Sequence, residues 1–391
     1  MSTPSHASTP TESTDRALRR PRVLHFVTGG FSGATQVAVD LVRGHLAGQS
    51  FEPLLVLRRK PHTEQARVDA LLSEGIPVEM VAGWAHIATV RQLVKICERF
   101  RPDILVAHGF SEHLWGRYAG LLAKVPHLVH VEHNSRERYT WSRTRQMLWL
   151  SRRTDAIVGC SEGVKQVLLD KGTPVAKTLA ISNGIRTAPF AAAVQHSWRE
   201  RIPGIIMAAR FARQKDHTTL LRAIALLRSR GHRPSVKLAG AGKASARNAA
   251  HKLSAELGLT DQVEFLGHHK DVPGLLMTHQ ICVLSTHYEG MPLSLIEGMA
   301  AGCVAIGTRA PGVQEVIDHD RNGLLVAHED AASLADALER VLTRPEDGER
   351  LAAQGRADAD TLYTLERMIA RYETLFGQII AGDEPLDLSR I

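Results

Sequence analysis

The chain has 391 residues, of which 44% are hydrophobic and 23% charged, and a formal net charge of +7. This is the composition of a globular protein long enough for two domains, and no apolar run reaches the roughly 18–20 residues of a membrane-spanning helix. The four cysteines are scattered without a C-x-x-C pair, which argues against a zinc or disulfide framework and fits a reducing cytoplasm.

The N-terminal segment differs from the rest. Residues 1–20 are rich in Ser, Thr and Pro and lack the apolar stretch of a secretory signal, so we expect a disordered leader. Residues 1–200 carry 26 basic and 17 acidic residues, a net of +9, whereas the remainder carries 22 and 24, a net of −2. The basic half could face nucleic acid, an anionic membrane or a phosphorylated acceptor, or could be ordinary surface charge.

Apolar runs alternate with helical patterns from residue 22 onward. The predicted strands of the first half are 22–28, 53–57, 77–81, 103–107 and 126–131, with a helix at about 34–48 and helical stretches between the later strands. The pattern restarts with strands at 204–209, 235–239, 262–265, 280–284 and 303–307, and helices at 216–230, 244–257, 271–278 and 292–301. Short elements reach about residue 327, and helices close the chain from about 330.

This alternation is typical of parallel sheets with helices on both faces. Because the pattern occurs twice, we expect an α/β protein with two doubly wound Rossmann-like domains facing across a cleft. The expected segments are the leader 1–20, an N-terminal domain 21–186, a linker 187–203, a C-terminal domain 204–365, and a C-terminal helix 366–391 that could pack back on the N-terminal domain. Ligands bind beyond the carboxyl ends of such strands.

The segment 284–302 concentrates groups that can bind a ligand. Glu289 and Gly290 follow a buried strand, Pro292 suits the first turn of a helix, and Glu297 lies about a turn and a half into that helix. A carboxylate can accept two hydrogen bonds at once from a vicinal diol, and a helix N-terminus favours a phosphate or a sugar hydroxyl. These residues therefore predict a binding site at the carboxyl end of the sheet.

Three other loops carry candidate residues. Arg210 and Lys215 follow the strand 204–209, where two fixed cations can neutralise a diphosphate as charge develops on it. The glycine turn that contains Gly33 follows the first strand, and its spacing is not G-x-G-x-x-G, so it does not predict a dinucleotide site. His133 ends the strand 126–131, where it could contact a substrate or serve in packing.

These motifs resemble those of glycosyltransferase family 4 over residues 22–327. Glu289 and Glu297 match its Glu-x7-Glu motif, and the resemblance implies that they bind the donor sugar hydroxyls and the nucleotide ribose respectively. Arg210 and Lys215 resemble its phosphate clamp, and His133 resembles its histidine at the donor sugar. The implied catalytic residues are thus His133, Glu289, Arg210 and Lys215.

The resemblance also implies a donor-binding set. Gly33 matches a glycine of the family's first turn, Gly242 lies in its glycine loop, and Leu266 lies beside the nucleotide base. The full set is Gly33, Arg210, Lys215, Gly242, Leu266, Glu289, Gly290, Met291, Pro292, Leu293 and Glu297. The implied protein is a GT-B, retaining glycosyltransferase that takes a nucleotide diphosphate sugar, most simply a UDP-sugar, and has no other cofactor.

The implied acceptor is a glycan or a polyprenyl-diphosphate-linked acceptor in bacterial surface polysaccharide or glycoconjugate synthesis, without nucleic acid as a partner. No metal is expected, because the triplets 318–320 and 358–360 of Asp-x-Asp type do not end a strand. The segment 139–153 mixes Arg with Trp and Leu, and could contact an anionic membrane or pack on its own domain. An epimerase of the same architecture and a non-catalytic nucleotide-sugar or nucleic-acid binder remain the alternatives.

Overall fold

The computed structural model describes residues 19–136, 139–195, 197–383 and 386–387. The leader predicted for residues 1–20 lies almost wholly outside this part of the chain. The described residues form two compact units. The first comprises the residues up to 130 together with 153–155 and 376–383, and the second comprises the remainder.

The first sheet contains seven strands. Their bounds are Arg22–Thr28 (β1), Glu52–Arg58 (β2), Val78–Val81 (β3), Ile104–His108 (β4), His127–Glu132 (β5), Ala156–Gly159 (β6) and Thr178–Ala180 (β7). The order is β3-β2-β1-β4-β5-β6-β7, and β1 pairs in parallel with both β2 and β4. The chain thus winds outward in both directions from β1, which is the doubly wound arrangement.

The second sheet contains six strands. Their bounds are Ile202–Ala208 (β8), Val236–Ala239 (β9), Val263–Gly267 (β10), His279–Leu284 (β11), Val304–Thr308 (β12) and Leu324–Val326 (β13). The order is β10-β9-β8-β11-β12-β13, and the pairs are parallel. The prediction of two doubly wound parallel α/β sheets is therefore confirmed.

Helices connect the strands. Their bounds are Gly33–Gly48 (α1), Gln65–Ser73 (α2), His86–Phe100 (α3), Glu112–Leu122 (α4), Trp141–Ser151 (α5), Glu162–Asp170 (α6), His217–Ser229 (α7), Ala244–Glu256 (α8), Val272–Met277 (α9), Leu293–Ala300 (α10), Val313–Val316 (α11), Ala331–Thr343 (α12), Pro345–Leu362 (α13) and Leu365–Ala381 (α14). Among the described helices, none is both long and apolar enough to cross a membrane.

Burial explains why the strands read as continuous apolar runs. The residues from Val23 to Val27 are all buried although their side chains alternate between the two faces of the sheet. β11 is buried along its whole length in the same way. A parallel sheet covered on both faces needs apolar residues on both, and this is the pattern from which the strands are predicted.

The segment between the two sheets is more ordered than its polar composition indicates. Residues 187–203, predicted as a linker, contain the 3₁₀ helices Ala188–Gln195 and Trp198–Glu200, and β8 already begins at Ile202. Trp198 is buried, and its indole N–H donates to the carbonyl of Gln280 at 3.1 Å. The Trp198 ring therefore anchors this segment to the β11 end of the second sheet.

The C-terminal helix ends among aromatic rings of the first unit. The ring of Phe376 lies 5.8 Å from those of His45 and Phe51 and 6.3 Å from that of His25, measured between centroids. His25 is fully buried, and burial holds its pKa well below the usual range. The neutral imidazole at this position behaves as part of an apolar contact between β1, α1 and α14.

Candidate functional site

The loop after β11 holds the first predicted carboxylate in a buried position. Glu289 is 6% exposed, and its carboxylate accepts a hydrogen bond from the Thr286 hydroxyl at 2.8 Å and pairs with the Lys215 ammonium. The backbone N–H of Glu289 donates to the carbonyl of Pro311 at 3.2 Å. The carboxylate is thus fixed in place at the carboxyl end of a central strand.

The basic loop after β8 lies directly beside the Glu289 loop, because β8 and β11 are neighbours in the sheet. The Gln214 amide donates to the carbonyl of Tyr288 at 2.7 Å, and the backbone N–H of His287 donates to the carbonyl of Gln214 at 2.9 Å. These two bonds join the loops on either side of the Lys215–Glu289 pair. The predicted cation and the predicted carboxylate therefore occupy one site.

The second predicted cation differs from the first. The Arg210 side chain is exposed, and in the part of the chain that the structure describes it makes no hydrogen bond or ion pair. Lys215 is more enclosed, with 15% of its side chain exposed. Arg210 is therefore free to turn toward an anion, whereas Lys215 is already held by Glu289.

The second predicted carboxylate, Glu297, lies in α10. It is partly buried, and its carboxyl group has no hydrogen-bond or ion-pair partner among the described residues. Burial raises the pKa of the Glu297 carboxyl to about 7, since the charged form loses its hydration without gaining a partner. A partly buried carboxyl without a partner is a group that a ligand with two hydroxyls can satisfy.

The start of α10 departs slightly from the prediction. Pro292 precedes the helix at the N-cap position, and the helix itself begins at Leu293. Met291 turns toward a buried cluster that includes Ile157 and Cys160, and its sulfur accepts from the backbone N–H of Asn183 at 3.0 Å. The Met291 side chain therefore packs in this cluster, while Pro292 and Leu293 lead into the helix that carries Glu297.

Gly290 allows two loops to meet through their backbones. A Cβ atom placed on Gly290 would collide with the carbonyl of His133, and the hydroxyl of Ser135 donates to the carbonyl of Glu289 at 2.6 Å. Gly312, with φ of 81°, packs its own backbone against Gly290. The predicted residues His133, Glu289 and Gly290 are thus brought together by backbone contacts that no larger residue permits.

We expect Gly290→Ala to lower both stability and turnover. The added methyl group must displace the His133 carbonyl, and overpacking of this kind costs about 1–3 kcal/mol. Thermal unfolding and initial rates measure the two effects. Gly377→Ala is the matched control, because an added Cβ there meets nothing within 4 Å, and it should leave both quantities near the wild-type values.

Glu132 is a titratable group beside His133 that the sequence did not single out as a site residue. It is 2% exposed, and burial raises its pKa to about 7, although hydrogen bonds from the Tyr139 hydroxyl at 3.1 Å and the His133 backbone N–H at 3.0 Å favour the charged form. The only signal in the sequence is an acidic residue at the end of an apolar strand.

The glycine loop after β9 supports the basic loop. A Cβ atom on Gly242, whose φ is 158°, would collide with the backbone of Phe211, and the backbone N–H of Gly240 donates to the carbonyl of Gly267 at 2.7 Å. Leu266, partly buried, precedes that carbonyl. Gly242 thus lies in the loop next to the Arg210 loop, whereas Leu266 lies near the end of β10, one strand farther away.

Gly33 belongs to the first unit and opens α1 there. An added Cβ at Gly33 meets nothing within 4 Å, whereas one at Gly29 would press on the carbonyl of Arg58 at 2.8 Å. The position in this turn that sterically requires glycine is therefore Gly29.

The two Asp-x-Asp triplets are engaged in ion pairs. Asp320 pairs with Arg340 at 2.7 Å and with Arg350 at 3.0 Å, and Asp358 pairs with Arg321 at 2.7 Å. Asp358 is 7% exposed, so it is a buried residue of this ion-pair network. The Ala-rich sequence around it had indicated a solvated residue. Both triplets serve to hold α12 and α13 to the sheet.

Two family models match the chain. The model described as glycosyl transferases group 1 matches residues 192–358, and that described as Glycosyltransferase Family 4 matches residues 31–188. Together they cover the second sheet, the first sheet except β1, and the loops discussed above except the first turn up to residue 30. The chain belongs to glycosyltransferase family 4.

This transferase is similar to proteins of bacterial glycan synthesis. It is 26% identical over 352 residues to the lipopolysaccharide core biosynthesis glycosyltransferase LpsE of Rhizobium meliloti (strain 1021), covering 85% of this chain and 92% of that one. It is 24% identical over 265 residues to the UDP-Gal:alpha-D-GlcNAc-diphosphoundecaprenol alpha-1,3-galactosyltransferase of Escherichia coli, covering 64% and 68% of the two chains.

The transferase also shares its fold with solved structures. Anabaena HepE, crystallised in complex with UDP-glucose, superposes with a TM-score of 0.79 at 18% identity, covering 93% of this chain and all of that one. At this level of identity the likeness concerns the fold, which is GT-B. The transferase is thus a family 4 enzyme that uses nucleotide sugars.

Proposed function

We propose that this enzyme transfers a sugar from a UDP-sugar to a lipid-linked or glycan acceptor, with retention of the anomeric configuration and without a metal ion. The observation that carries the proposal is the meeting of Lys215 and Glu289 on neighbouring strand loops, with Glu297 in the helix that follows. This arrangement offers positive charge for a diphosphate and separate carboxylates for the hydroxyls of a sugar and of a ribose.

In the proposed reaction, Lys215 and Arg210 bind the diphosphate and stabilise the charge that develops when the bond from the sugar C1 to the phosphate oxygen breaks. Glu289 and His133 orient the donor sugar, and Glu297 accepts hydrogen bonds from the ribose diol. The acceptor oxygen attacks C1 from the face that the phosphate leaves, and the departing phosphate oxygen takes its proton. A bond from C1 to the acceptor oxygen replaces the bond to phosphate.

The donor and acceptor classes rest on the relatives. HepE was crystallised with UDP-glucose, and the Escherichia coli relative uses UDP-Gal and a diphosphoundecaprenol acceptor by its name. A screen of UDP-, GDP- and ADP-sugars, with nucleotide release measured in the presence and absence of a polyprenyl-diphosphate acceptor, tests both classes. Release of UDP only when the acceptor is present supports the proposal, whereas acceptor-independent conversion of the donor sugar supports an epimerase.

Chelation should leave transfer intact. The two cations already supply the positive charge that a divalent ion would bring to the diphosphate, and both Asp-x-Asp triplets are engaged by arginines. We expect protein treated with EDTA to retain its turnover without added Mg²⁺ or Mn²⁺, as measured by nucleotide release. Activity that vanishes on chelation and returns with either ion would contradict metal-independent transfer.

Helix α5 supports peripheral contact with an anionic membrane. Trp141 is 74% exposed, Trp149 is 46% exposed, and Arg145 lies 4.7 Å from the Trp141 ring centroid. Exposed Trp beside Arg is typical of a surface that binds at the lipid headgroups. Met147 and Leu150 are buried, so one face of the helix packs inward, and the face that carries the two exposed tryptophans is the one proposed to contact the membrane.

Liposome binding tests this contact. Arg152 and Arg153 are exposed just beyond α5, and we expect the double variant Arg152→Ala, Arg153→Ala to bind vesicles of anionic lipid less tightly, by about 1 kcal/mol per residue. Co-sedimentation at physiological salt measures the difference, with neutral vesicles as the control. Wild-type protein that stays in the supernatant with anionic vesicles would dismiss membrane contact.

A further inference from the structure

Three side chains that the proposed reaction does not use lie close together in the second unit. His287 belongs to the loop after β11, and His328 and Glu329 belong to the loop after β13. The Nδ1 atom of His287 lies 3.0 Å from Nε2 of His328 and 3.3 Å from Oε1 of Glu329, and the three atoms are all within 4.8 Å of one another. They line a cavity of about 490 Å³ beside the Gln214–Tyr288 contact.

These spacings match the edges of a zinc coordination polyhedron. Zinc binds imidazole nitrogen and carboxylate oxygen at about 2.0–2.2 Å, so neighbouring ligand atoms in a tetrahedral site lie about 3.3 Å apart. The His287–His328 pair, at 3.0 Å, and the His287–Glu329 pair, at 3.3 Å, are already close to that separation. Two imidazoles and one carboxylate with an open fourth position form a ligand set that is well known for zinc.

The backbone at Glu329 supports a role for its carboxylate. Its φ of 56° places a non-glycine residue in the left-handed region, which costs roughly 1–2 kcal/mol. Strain of this kind persists only where the surrounding structure fixes the conformation, and it is enriched at ligand-binding sites. Across the cluster, the backbone of His287 is fixed by its hydrogen bond to Gln214, so the ligand atoms approach each other from two anchored loops.

An anion is the other ligand that this cavity could attract, because Arg136 and Arg213 also line it. The Glu329 carboxylate, however, lies within the cluster of imidazole nitrogens and would repel an anion that approached them. A cation satisfies both the carboxylate and the imidazole lone pairs. We propose that His287, His328 and Glu329 bind a Zn²⁺ ion that links the loop preceding Glu289 to the loop following β13.

Direct metal binding tests the site. Full-length protein is freed of metal with a chelator and titrated with Zn²⁺ against a chromophoric competitor, and Co²⁺ is used in parallel because tetrahedral Co²⁺ absorbs visibly. We expect one tight equivalent, and a loss of affinity of about 100-fold or more in His287→Ala and in His328→Ala, since even outer-shell partners change metal affinity by about 10–100-fold. Zinc should raise the unfolding midpoint of the wild type and leave that of the variants unchanged.

His232→Ala is the matched control. His232 pairs with Glu339 at 3.1 Å but belongs to no group of three possible metal ligands among the described residues, so this variant should keep the zinc affinity of the wild type. Circular dichroism of every variant verifies folding, and the Glu329→Gln variant, which changes one atom, provides a second probe. Equal zinc affinity in the wild type and both histidine variants would overturn the proposal, as would His328-dependent binding of inorganic phosphate without binding of zinc.

Discussion

Replacing Lys215 by alanine is expected to lower turnover by about 100-fold or more, the loss found when one charge partner of a transition state is removed. Lys215 is the more enclosed of the two cations, and the Thr286 hydroxyl holds its partner, the Glu289 carboxylate, in place. The positive charge therefore needs no rearrangement as the sugar–phosphate bond breaks. Single-turnover rates with saturating donor separate this effect from weaker donor binding.

The controls for Lys215 must separate charge from packing. Removing the ammonium leaves the Glu289 carboxylate buried without its ion-pair partner, so thermal unfolding of Lys215→Ala has to be measured as well. Lys215→Arg keeps the charge and should recover part of the rate. Lys270→Ala removes an exposed lysine after β10 and should leave turnover unchanged. A folded Lys215→Ala protein with near-normal turnover would remove this residue from the mechanism.

Replacing Glu297 by glutamine is expected to weaken nucleotide binding and to strengthen the fold at the same time. A hydrogen bond to a charged group contributes about 1.5–3 kcal/mol, so affinity for UDP should fall by about 10- to 100-fold. The charged carboxylate is the better acceptor for the ribose diol, so binding of uridine, which has no phosphate, should improve as the pH rises through about 7 in the wild type only.

The effect on stability has the opposite sign. The pKa of Glu297 rises from 4.5 to about 7 on folding. The contribution of this carboxyl to the free energy of unfolding is therefore fully present below pH 4.5 and is lost as the pH rises through 7. Glutamine does not ionise, and the variant should be more stable at pH 8 by on the order of 1–3 kcal/mol. At pH 4.5 the two proteins should unfold alike.

Unfolding midpoints at the two pH values and isothermal titration with uridine measure both consequences. Glu256→Gln, which changes an exposed glutamate on α8, is the control and should alter neither. Unchanged uridine affinity in the Glu297 variant would contradict the ribose contact, and an unchanged midpoint at pH 8 would contradict the cost of burying this carboxylate.

The sequence predicts the sheet strands well because burial on both faces produces continuous apolar runs. The five strands predicted in each half lie within two residues of the corresponding observed strands at every end. The strands Ala156–Gly159 and Thr178–Ala180, of four and three residues, are not among the predicted ones. Trp198 is buried in a segment that reads as a polar linker, since one large aromatic ring with a hydrogen-bonded indole N–H can dock a segment of otherwise polar composition.

The site is only partly readable from the sequence. A glutamate after a buried strand and before a proline-started helix predicts Glu289, but its pairing with Lys215 depends on β8 being the neighbour of β11. That order is set by tertiary packing. The contact of Ser135 with Glu289 joins residues 154 positions apart, and a short hydroxyl side chain in a loop gives no sign of it.

The backbone packing around Gly290 bears on how substrate preference can diverge among enzymes built this way. His133, Gly290 and Gly312 contact each other through main-chain atoms, so a larger side chain at either glycine would disrupt these contacts before it could change the shape of the site. We therefore expect selectivity for a new sugar to evolve through half-buried neighbours whose side chains line a cavity, such as Tyr288. Directed evolution of this chain should therefore concentrate its randomised codons on those neighbours and keep the glycines fixed.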